Sequence, residues 1–215
     1  MGDTWRFVIE VLAIVSFAIS GAMMALKEKM DPFGVSMLGL CTAVGGGILR
    51  DLLLGITPPY IFTQPLYAVI AIAVSLIVFL PRVRHMLLRS PRAYDVTMLI
   101  TDSLGLGLFT VVGVKTVMTT VGQPHILGTI FLGMLTATGG GVLRDILAGH
   151  SPYIFSKHFY ALPSLAGAVV CTLLWNVWGE GPVTITATAL VVLLRFLAAR
   201  YHWNLPQASD EEDIR

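Results

Sequence analysis

The sequence predicts an all-α membrane protein with seven transmembrane helices, built as an inverted repeat of three plus three helices and one extra helix. Three observations predict this class: an apolar composition, seven apolar stretches of suitable length and a motif that occurs twice. Of the 215 residues, 55% are hydrophobic and only 13% are charged, and the mean hydropathy is +0.79. Soluble domains carry about a quarter charged residues. The chain has too few charges to cover a water-facing surface, which excludes a soluble enzyme and a disordered chain.

Seven apolar stretches approach the length of about 20 residues that a transmembrane helix needs. Prolines separate them: Pro58 follows the second stretch, Pro124 precedes the fifth and Pro182 begins the seventh. The predicted spans are residues 5–26, 33–56, 65–81, 95–115, 125–149, 160–178 and 182–200.

The sequence GGGILRD at residues 45–51 recurs as GGGVLRD at residues 139–145. The agreement extends to the flanks of the motif, which indicates an internal duplication. The aligned pairs there include Glu10 with Asp102, Phe17 with Phe109, Gly21 with Gly113, Tyr60 with Tyr153 and Tyr67 with Tyr160.

Each repeated unit contains three spans, so the second copy enters the membrane from the opposite face. The two copies are then related by a pseudo-two-fold axis in the membrane plane, as in many transport proteins. The predicted organisation is a first repeat at 1–94, a second, inverted repeat at 95–180, a seventh helix at 181–203 and a flexible acidic tail at 204–215.

The positions of the basic residues predict the orientation, because cytoplasmic loops carry an excess of Lys and Arg. The odd-numbered connections and the C-terminal end of the seventh span hold most of them, whereas the opposite side has Arg6 and Lys115. We therefore expect the N-terminus outside and the C-terminus in the cytoplasm. The residues on the predicted inner side are Lys27, Lys29, Arg82, Arg84, Arg89, Arg92, Lys157 and Arg200.

The two glycine triplets, Gly45–Gly47 and Gly139–Gly141, lie near the centres of the second and fifth spans. Each glycine in a helix interior costs about 1 kcal/mol relative to Ala. One interpretation is a broken or kinked helix whose bare carbonyls line a path at the bilayer midplane. The other is a tight helix crossing, in which glycine lets two backbones touch. Charged residues follow both triplets, which favours the path.

Six charged residues lie inside predicted spans, where charges are costly and face a cavity or a partner. Their expected depths suggest two ion pairs, Glu10–Arg50 near the outer face and Asp102–Arg144 near the inner face. Adjacent residues point in different directions on a helix, so Asp51 and Asp145 are expected to be freer and to attract cations to two pore mouths. The alternative is that the pairs are static bridges between helices. The six residues are Glu10, Arg50, Asp51, Asp102, Arg144 and Asp145.

Lys115 and Arg195, near the ends of other spans, are expected to extend towards the interface. The net charge of +1 argues against nucleic acid as a partner. No His, Ser or Cys forms a nucleophile or metal-ligand motif, and no Gly-Lys-Ser/Thr follows either triplet. We therefore expect no enzyme activity, no metal site and no cofactor.

The doubled glycine motif, the run DSLGLGLF at residues 102–109 and the three-plus-three-plus-one layout resemble the prokaryotic TRIC family of trimeric intracellular cation channels. This family is also called UPF0126 or the glycine transporter domain family. The resemblance covers about residues 5–200.

The resemblance implies a homotrimer with one pore inside each protomer, permeable to monovalent cations and chiefly to potassium. It implies that helices two and five are kinked at the triplets, so that Gly45, Gly46, Gly47, Gly139, Gly140 and Gly141 line the pore. It also makes Lys115 the candidate for a voltage-sensing residue. The expected location is the plasma membrane of a prokaryote.

Two functions remain open from the sequence. The first is a potassium channel with one continuous wet path narrowed at the paired glycines. The second is a secondary transporter of a small amino acid such as glycine, since inverted repeats with broken midplane helices are usual for carriers. A weaker third is a structural or regulatory membrane protein without transport.

Overall fold

The computed structural model describes residues 2–156 and 159–203. The predicted tail at 204–215 and the basic residue Lys157 lie outside the described residues. All the regular secondary structure in the described part of the chain is α-helical, as the sequence predicted. The helices are α1 (Gly2–Lys27), α2 (Pro32–Leu53), α3 (Tyr60–Thr63), α4 (Leu66–Phe79), α5 (Pro81–Leu87), α6 (Pro91–Thr120), α7 (Ile126–Leu147), α8 (Tyr153–Ser156), α9 (Ala161–Trp178) and α10 (Glu180–Tyr201).

Local signals set the ends of the repeated helix. Asp31 caps the N-terminus of α2 by accepting a hydrogen bond from the backbone N–H of Gly34 at 2.7 Å, and Pro32 occupies the first turn, where its missing N–H is harmless. Just past α2 and α7, Gly55 and Gly149 have φ angles of +71° and +77°. Glycine adopts this left-handed conformation without a steric cost, so both copies of the helix end in the same way.

In the described part of the chain, six helices are long and apolar enough to cross a membrane, and α4 together with α5 makes a seventh candidate that is bent by 78°. The third predicted span corresponds to α4, which has 14 residues and a length of about 21 Å at 1.5 Å per residue. The hydrocarbon layer is about 30 Å thick. The third span is therefore shorter than expected, because the chain turns at Leu80 and Pro81 into α5.

The four long helices that carry the repeated residues form the centre of the bundle. Helix α1 packs on α2 and α6, and α7 packs on the same two helices. Helix α4 covers α1 and α2, and α9 covers α6 and α7, so they take equivalent places in the two halves. The rings of the equivalent residues Phe17 and Phe109 meet at the centre, 5.2 Å apart. Helix α10 has no counterpart and packs on α6 and α9 of the second half.

Both glycine triplets lie inside uninterrupted helices, so neither helix is broken there, and the predicted kink at the triplets stays a prediction. The triplets instead let α2 and α7 cross closely. A Cβ atom added to Gly46 would overlap the carbonyl of Thr136, and one added to Gly140 would overlap the carbonyl of Thr42. Thr42 and Thr136 are themselves equivalent in the two copies. The crossing is therefore symmetric, as the alternative interpretation of the triplets required.

Candidate functional site

Two clusters of charged and tyrosine side chains lie where α2 and α7 end. The first cluster consists of Arg6, Glu10, Arg50, Asp51, Tyr60 and Tyr67. The second cluster consists of Asp102, Arg144, Asp145, Tyr153, Tyr160 and Arg195. They contain five pairs of aligned residues, together with one arginine in each that has no counterpart in the other.

Each cluster contains an ion pair between neighbouring residues. Arg50 Nη2 lies 2.7 Å from Asp51 Oδ1, and Arg144 Nη2 lies 2.8 Å from Asp145 Oδ1. The expectation that Asp51 and Asp145 are freer was therefore wrong. The long guanidinium group of each arginine bends towards the aspartate that follows it in the last turns of the helix.

The same two aspartates also hold the next segment of the chain. Asp51 Oδ2 accepts a hydrogen bond from the backbone N–H of Tyr60 at 2.9 Å, and Asp145 Oδ2 accepts one from that of Tyr153 at 2.8 Å. Each carboxylate thus joins the end of a long helix to the start of a short one. Because they lie near a helix end, Asp51 and Asp145 stabilise the connection that follows each long helix.

The second cluster is a closed network of buried ion pairs. Arg144 Nη1 lies 2.8 Å from Asp102 Oδ1, which confirms the predicted Asp102–Arg144 pair. The same nitrogen donates to Ser20 Oγ at 2.5 Å, and Arg144 has no exposed surface. Arg195 Nη2 lies 3.3 Å from Asp102 Oδ2, so the expectation that Arg195 extends to the interface was wrong. Since α10 packs on α6, it brings Arg195 to the carboxylate, and Tyr160 donates a further hydrogen bond at 3.3 Å.

The first cluster is arranged differently, and the predicted Glu10–Arg50 ion pair is not formed among the described residues. Glu10 accepts a hydrogen bond from Arg6 Nε at 2.9 Å and another from the hydroxyl of Tyr67. Arg6 lies four residues before Glu10 on the same helix, where side chains are neighbours. Its aligned residue in the second half is Met98, which cannot compete for a carboxylate. Arg50 is left with Asp51 as its only hydrogen-bond partner in the described part of the chain.

A cavity of about 50 Å³ lies beside the first cluster, bounded by Glu10, Arg50, Asp51, Tyr60 and Tyr67. A water molecule needs about 10–15 Å³ of such space, so the cavity has room for a few. Its floor includes Val112, which is aligned with Ser20. Valine cannot accept the hydrogen bond that Ser20 takes from Arg144, so this side of Arg50 borders open space.

Gly47 and Gly141 show the same difference between the halves. The nearest atom to a Cβ built on Gly47 would be Arg50 Nη2 at 3.9 Å, and Gly47 borders the cavity. A Cβ built on Gly141 would overlap the hydroxyl of Tyr160. The aligned position is thus open in the first half and filled in the second.

The other predicted pore-lining glycines do not share one wall. Gly46 and Gly140 lie in the α2–α7 crossing, and Gly139 packs near Leu49. Gly45 borders a second, apolar groove. Of the six glycines, only Gly47 borders the cavity at the first cluster among the described residues.

Lys115 forms an ion pair with Glu180 at the contact between α6 and α10. Its predicted voltage-sensing role stays a prediction. The tyrosines of both clusters were missed as site residues, although the alignment of the repeats pairs them and provided a signal. Arg195 had no such signal because α10 is not repeated. Within residues 2–156 and 159–203, no three His, Cys, Asp or Glu side chains come together as metal ligands.

The family described as glycine transporter matches residues 7–82 and 99–176, one segment in each half of the chain. The chain belongs to this family, the TRIC/UPF0126 family. The UPF0126 inner membrane protein YadS of Escherichia coli (strain K12) is 33% identical over 210 residues, which cover 96% of this chain and 98% of that protein. The UPF0126 membrane protein YvgT of Bacillus subtilis (strain 168) is 32% identical, covering 94% and 95%.

Solved structures of TRIC channels have the same fold. A solved structure that concerns conductance through TRIC cation channels is 34% identical in sequence, with a TM-score of 0.81. The match covers 95% of this chain and 97% of that one. The TRIC trimeric intracellular cation channel orthologue from Rhodobacter sphaeroides is 29% identical, with a TM-score of 0.83, covering 94% and 100%. These relatives are named as membrane proteins and cation channels, not as enzymes, which agrees with the expectation from the sequence.

Proposed function

We propose that this TRIC/UPF0126 protein is a cation channel of a bacterial inner membrane, that it conducts monovalent cations such as potassium, and that the path runs inside each protomer. The observation that carries the proposal is the water-sized cavity beside Glu10 and Arg50, enclosed by helices long enough to span a membrane. Charged side chains beside a cavity within membrane-spanning helices mark ion pathways. The likeness to TRIC cation channels over nearly the whole chain supports the same conclusion.

The proposed path leads from the first cluster to the second, between α1, α2, α6 and α7. At its start Glu10 offers a carboxylate beside space for water, and at its end Asp102 offers the aligned carboxylate. Such oxygen ligands replace part of the hydration shell of a cation. In this structure Asp102 is neutralised by Arg144 and Arg195, so the second cluster is the closed end of the path. Conduction requires that at least one of these two arginines leaves Asp102.

The glycine crossing lies between the two clusters. Because Gly46 and Gly140 carry no side chains, the carbonyls of Thr136 and Thr42 lie directly against the opposite helix. A small sliding movement of α2 along α7 would turn these oxygens towards the path, as unshielded carbonyls do in other channels. We propose that Gly46 and Gly140 act as this sliding contact, and that the other four glycines of the triplets line the path when it opens.

Two further features belong to the proposal. The protein forms a homotrimer, in keeping with the trimeric channel that it resembles in structure. Its N-terminus is outside and its C-terminus is in the cytoplasm, since the basic residues follow the inner connections. The first cluster then faces the outside and the second faces the cytoplasm.

The test is a recording from the purified protein in a planar bilayer under a potassium chloride gradient. We expect unitary currents that reverse near the potassium equilibrium potential. Currents that reverse at the chloride potential would overturn cation selectivity. Asp102→Asn should lower cation selectivity, and Asp95→Asn is the matched control, because Asp95 is an exposed aspartate on the same helix outside both clusters.

The second candidate is a carrier for a small amino acid, which the description of the family as glycine transporter favours. A carrier binds its substrate and changes conformation in each cycle, so its flux saturates and gives no unitary currents. Saturable glycine uptake into liposomes without unitary currents would replace the channel proposal with this one.

A further inference from the structure

Helix α5, the loop after it and the first turn of α6 carry four exposed arginines: Arg82, Arg84, Arg89 and Arg92. None of them lies within 4.0 Å of a carboxylate oxygen in the described part of the chain. The sequence contains no Asp or Glu between Asp51 and Asp95. Among the described residues, this positive surface therefore has no paired carboxylate, although exposed arginines of a soluble face are usually interspersed with acids.

Three of these arginines border one open surface patch. Arg82, Arg84 and Arg89 border it together with His85, and all four come from α5 and the loop after it. Arg84 also lies over the ring of Phe79 at 5.7 Å, which fixes its direction at the junction of α4 and α5. Several guanidinium groups on one short segment suit phosphate oxygens, which they bind with paired N–H donors.

The bend between α4 and α5 places this surface patch at the membrane surface. Helix α4 crosses towards Phe79, the chain then turns by 78°, and the next crossing begins at Pro91. A segment between two crossing helices that runs across their direction lies in the headgroup layer. Met86 and Leu88 are 63% and 36% exposed among the arginines, and this mixture of basic and apolar side chains is typical of helices that lie in that layer.

The second half of the bundle has no such surface. Helix α9 is joined to α10 through Gly179 alone, and the acidic residue Glu180 follows at once. The basic surface is therefore a feature of one membrane face only, in a fold whose two halves are otherwise alike.

We propose that the α5 surface, defined as Arg82, Arg84, His85 and Arg89, binds the phosphate headgroups of anionic phospholipids. The inference rests on membrane insertion and not on the channel proposal. A phospholipid satisfies both parts of the surface, since its phosphate meets the arginines and its acyl chains meet Met86 and Leu88. The acidic run Asp210–Asp213 of this chain could pair with the arginines but would leave Met86 and Leu88 without an apolar partner. We therefore favour lipid over the chain's own tail as the occupant of this surface.

The experiment places the full-length protein in nanodiscs of phosphatidylcholine with or without phosphatidylglycerol. The lipids that stay bound are then measured by native mass spectrometry. We expect the wild type to retain phosphatidylglycerol in preference to phosphatidylcholine. Each basic residue near an anionic surface contributes about a fivefold factor. The triple variant Arg82→Gln/Arg84→Gln/Arg89→Gln should therefore lose at least about tenfold of that preference.

The matched control removes the same charge from other segments on the same predicted membrane face, as Lys27→Gln/Lys29→Gln/Arg200→Gln. It measures the contribution of dispersed surface charge, and we expect it to lose several-fold less of the preference than the triple variant on α5, whose charges lie on one segment. The proposal is wrong if the wild type shows no preference, if the triple variant keeps it, or if the control loses as much. A variant chain that ends at Trp203 distinguishes binding of lipid from binding of the chain's own acidic tail. A preference that appears only in this shortened chain would mean that the acidic tail occupies the surface, and would overturn the proposal.

Discussion

The two clusters are built from aligned residues, yet one borders a cavity and the other is packed shut. In the second cluster Arg144 donates to Asp102 and to Ser20, and it is fully buried. In the first cluster Arg50 contacts neither Glu10 nor an equivalent hydroxyl. The repeated motif thus places an arginine in both halves, and residues outside the motif decide its partners.

Three differences outside the motif account for the contrast. Arg6 attracts Glu10, whereas the aligned Met98 leaves Asp102 free to meet Arg144. Ser20 accepts a hydrogen bond from Arg144, whereas the aligned Val112 offers Arg50 none. Helix α10 adds Arg195 to the second half alone. A duplicated fold can in this way keep one end open while the other is closed, which a gated path requires.

The largest expected effect is on stability when the arginines are replaced. Arg144→Gln leaves the Asp102 carboxylate without its closest partner in a buried site, and breaking such a pair costs about 3–5 kcal/mol. Arg50→Gln removes hydrogen bonds to the Asp51 carboxylate and should cost about 1.5–3 kcal/mol, the scale of hydrogen bonds to charged groups. The expected loss is smaller than for Arg144 because Arg50 borders a cavity that water can enter. Denaturant unfolding of the purified protein in detergent measures both. Equal losses would show that the first cluster is as tightly packed as the second.

Alanine substitutions in the glycine crossing should lower stability equally in the two halves, unlike substitutions in the two clusters. Gly46→Ala and Gly140→Ala each push a methyl group into a backbone carbonyl of the opposite helix, and overpacking of this kind costs about 1–3 kcal/mol. Gly128→Ala is the matched control on α7, since the nearest atom to its Cβ would lie at 3.8 Å. The same unfolding measurement applies. A loss confined to one of the two glycines would mean that the crossing is not symmetric.

We expect alanine substitutions at the aligned positions Gly47 and Gly141 to differ in their effect on stability. Gly141→Ala forces the buried hydroxyl of Tyr160 to move, and we expect a loss of about 1–2 kcal/mol on the scale of overpacked cores. Gly47→Ala adds its methyl group to the cavity, and we expect no loss of stability. On the channel proposal, however, Gly47→Ala lowers the unitary conductance by narrowing the path. A destabilised Gly47→Ala with unchanged conductance would contradict both expectations.

The smallest expected change in stability comes from a substitution at Arg6, which tests why Arg50 and Arg144 have different partners. Arg6→Met places in the first half the residue that the second half has at the aligned position, Met98. Without Arg6, the Glu10 carboxylate should turn towards Arg50. The Arg6–Glu10 pair is partly exposed, and such pairs contribute about 0–1 kcal/mol, so stability should change little. A double-mutant cycle between Glu10 and Arg50 should show coupling near zero in the wild type and about 1 kcal/mol or more in the Arg6→Met background. Absence of coupling in both backgrounds would reject Arg6 as the cause.

Much of the fold followed from the sequence, because its signals are local. Apolar length predicted the crossing helices, and the doubled motif predicted two alike halves. The length of α4 was missed because Pro81 was interpreted as the end of a span and not as a turn into a helix along the surface. The Asp102–Arg144 pair was predicted from depth alone. The same argument failed for Glu10–Arg50, because depth does not show that Arg6 lies closer on the same helix.

By itself the sequence determined that the chain belongs in a membrane, that it is a duplicated bundle and that six of the charged residues inside its spans lie at aligned positions. These are consequences of composition and periodicity, which each segment carries alone. Only the tertiary structure decided that the triplets form a helix crossing, that Arg195 reaches Asp102 and that one cluster is open. Such outcomes depend on competition among groups a few ångströms apart that come from α1, α6, α7 and α10. A buried charge binds whichever partner packing brings closest, and that distance is a property of the assembled bundle.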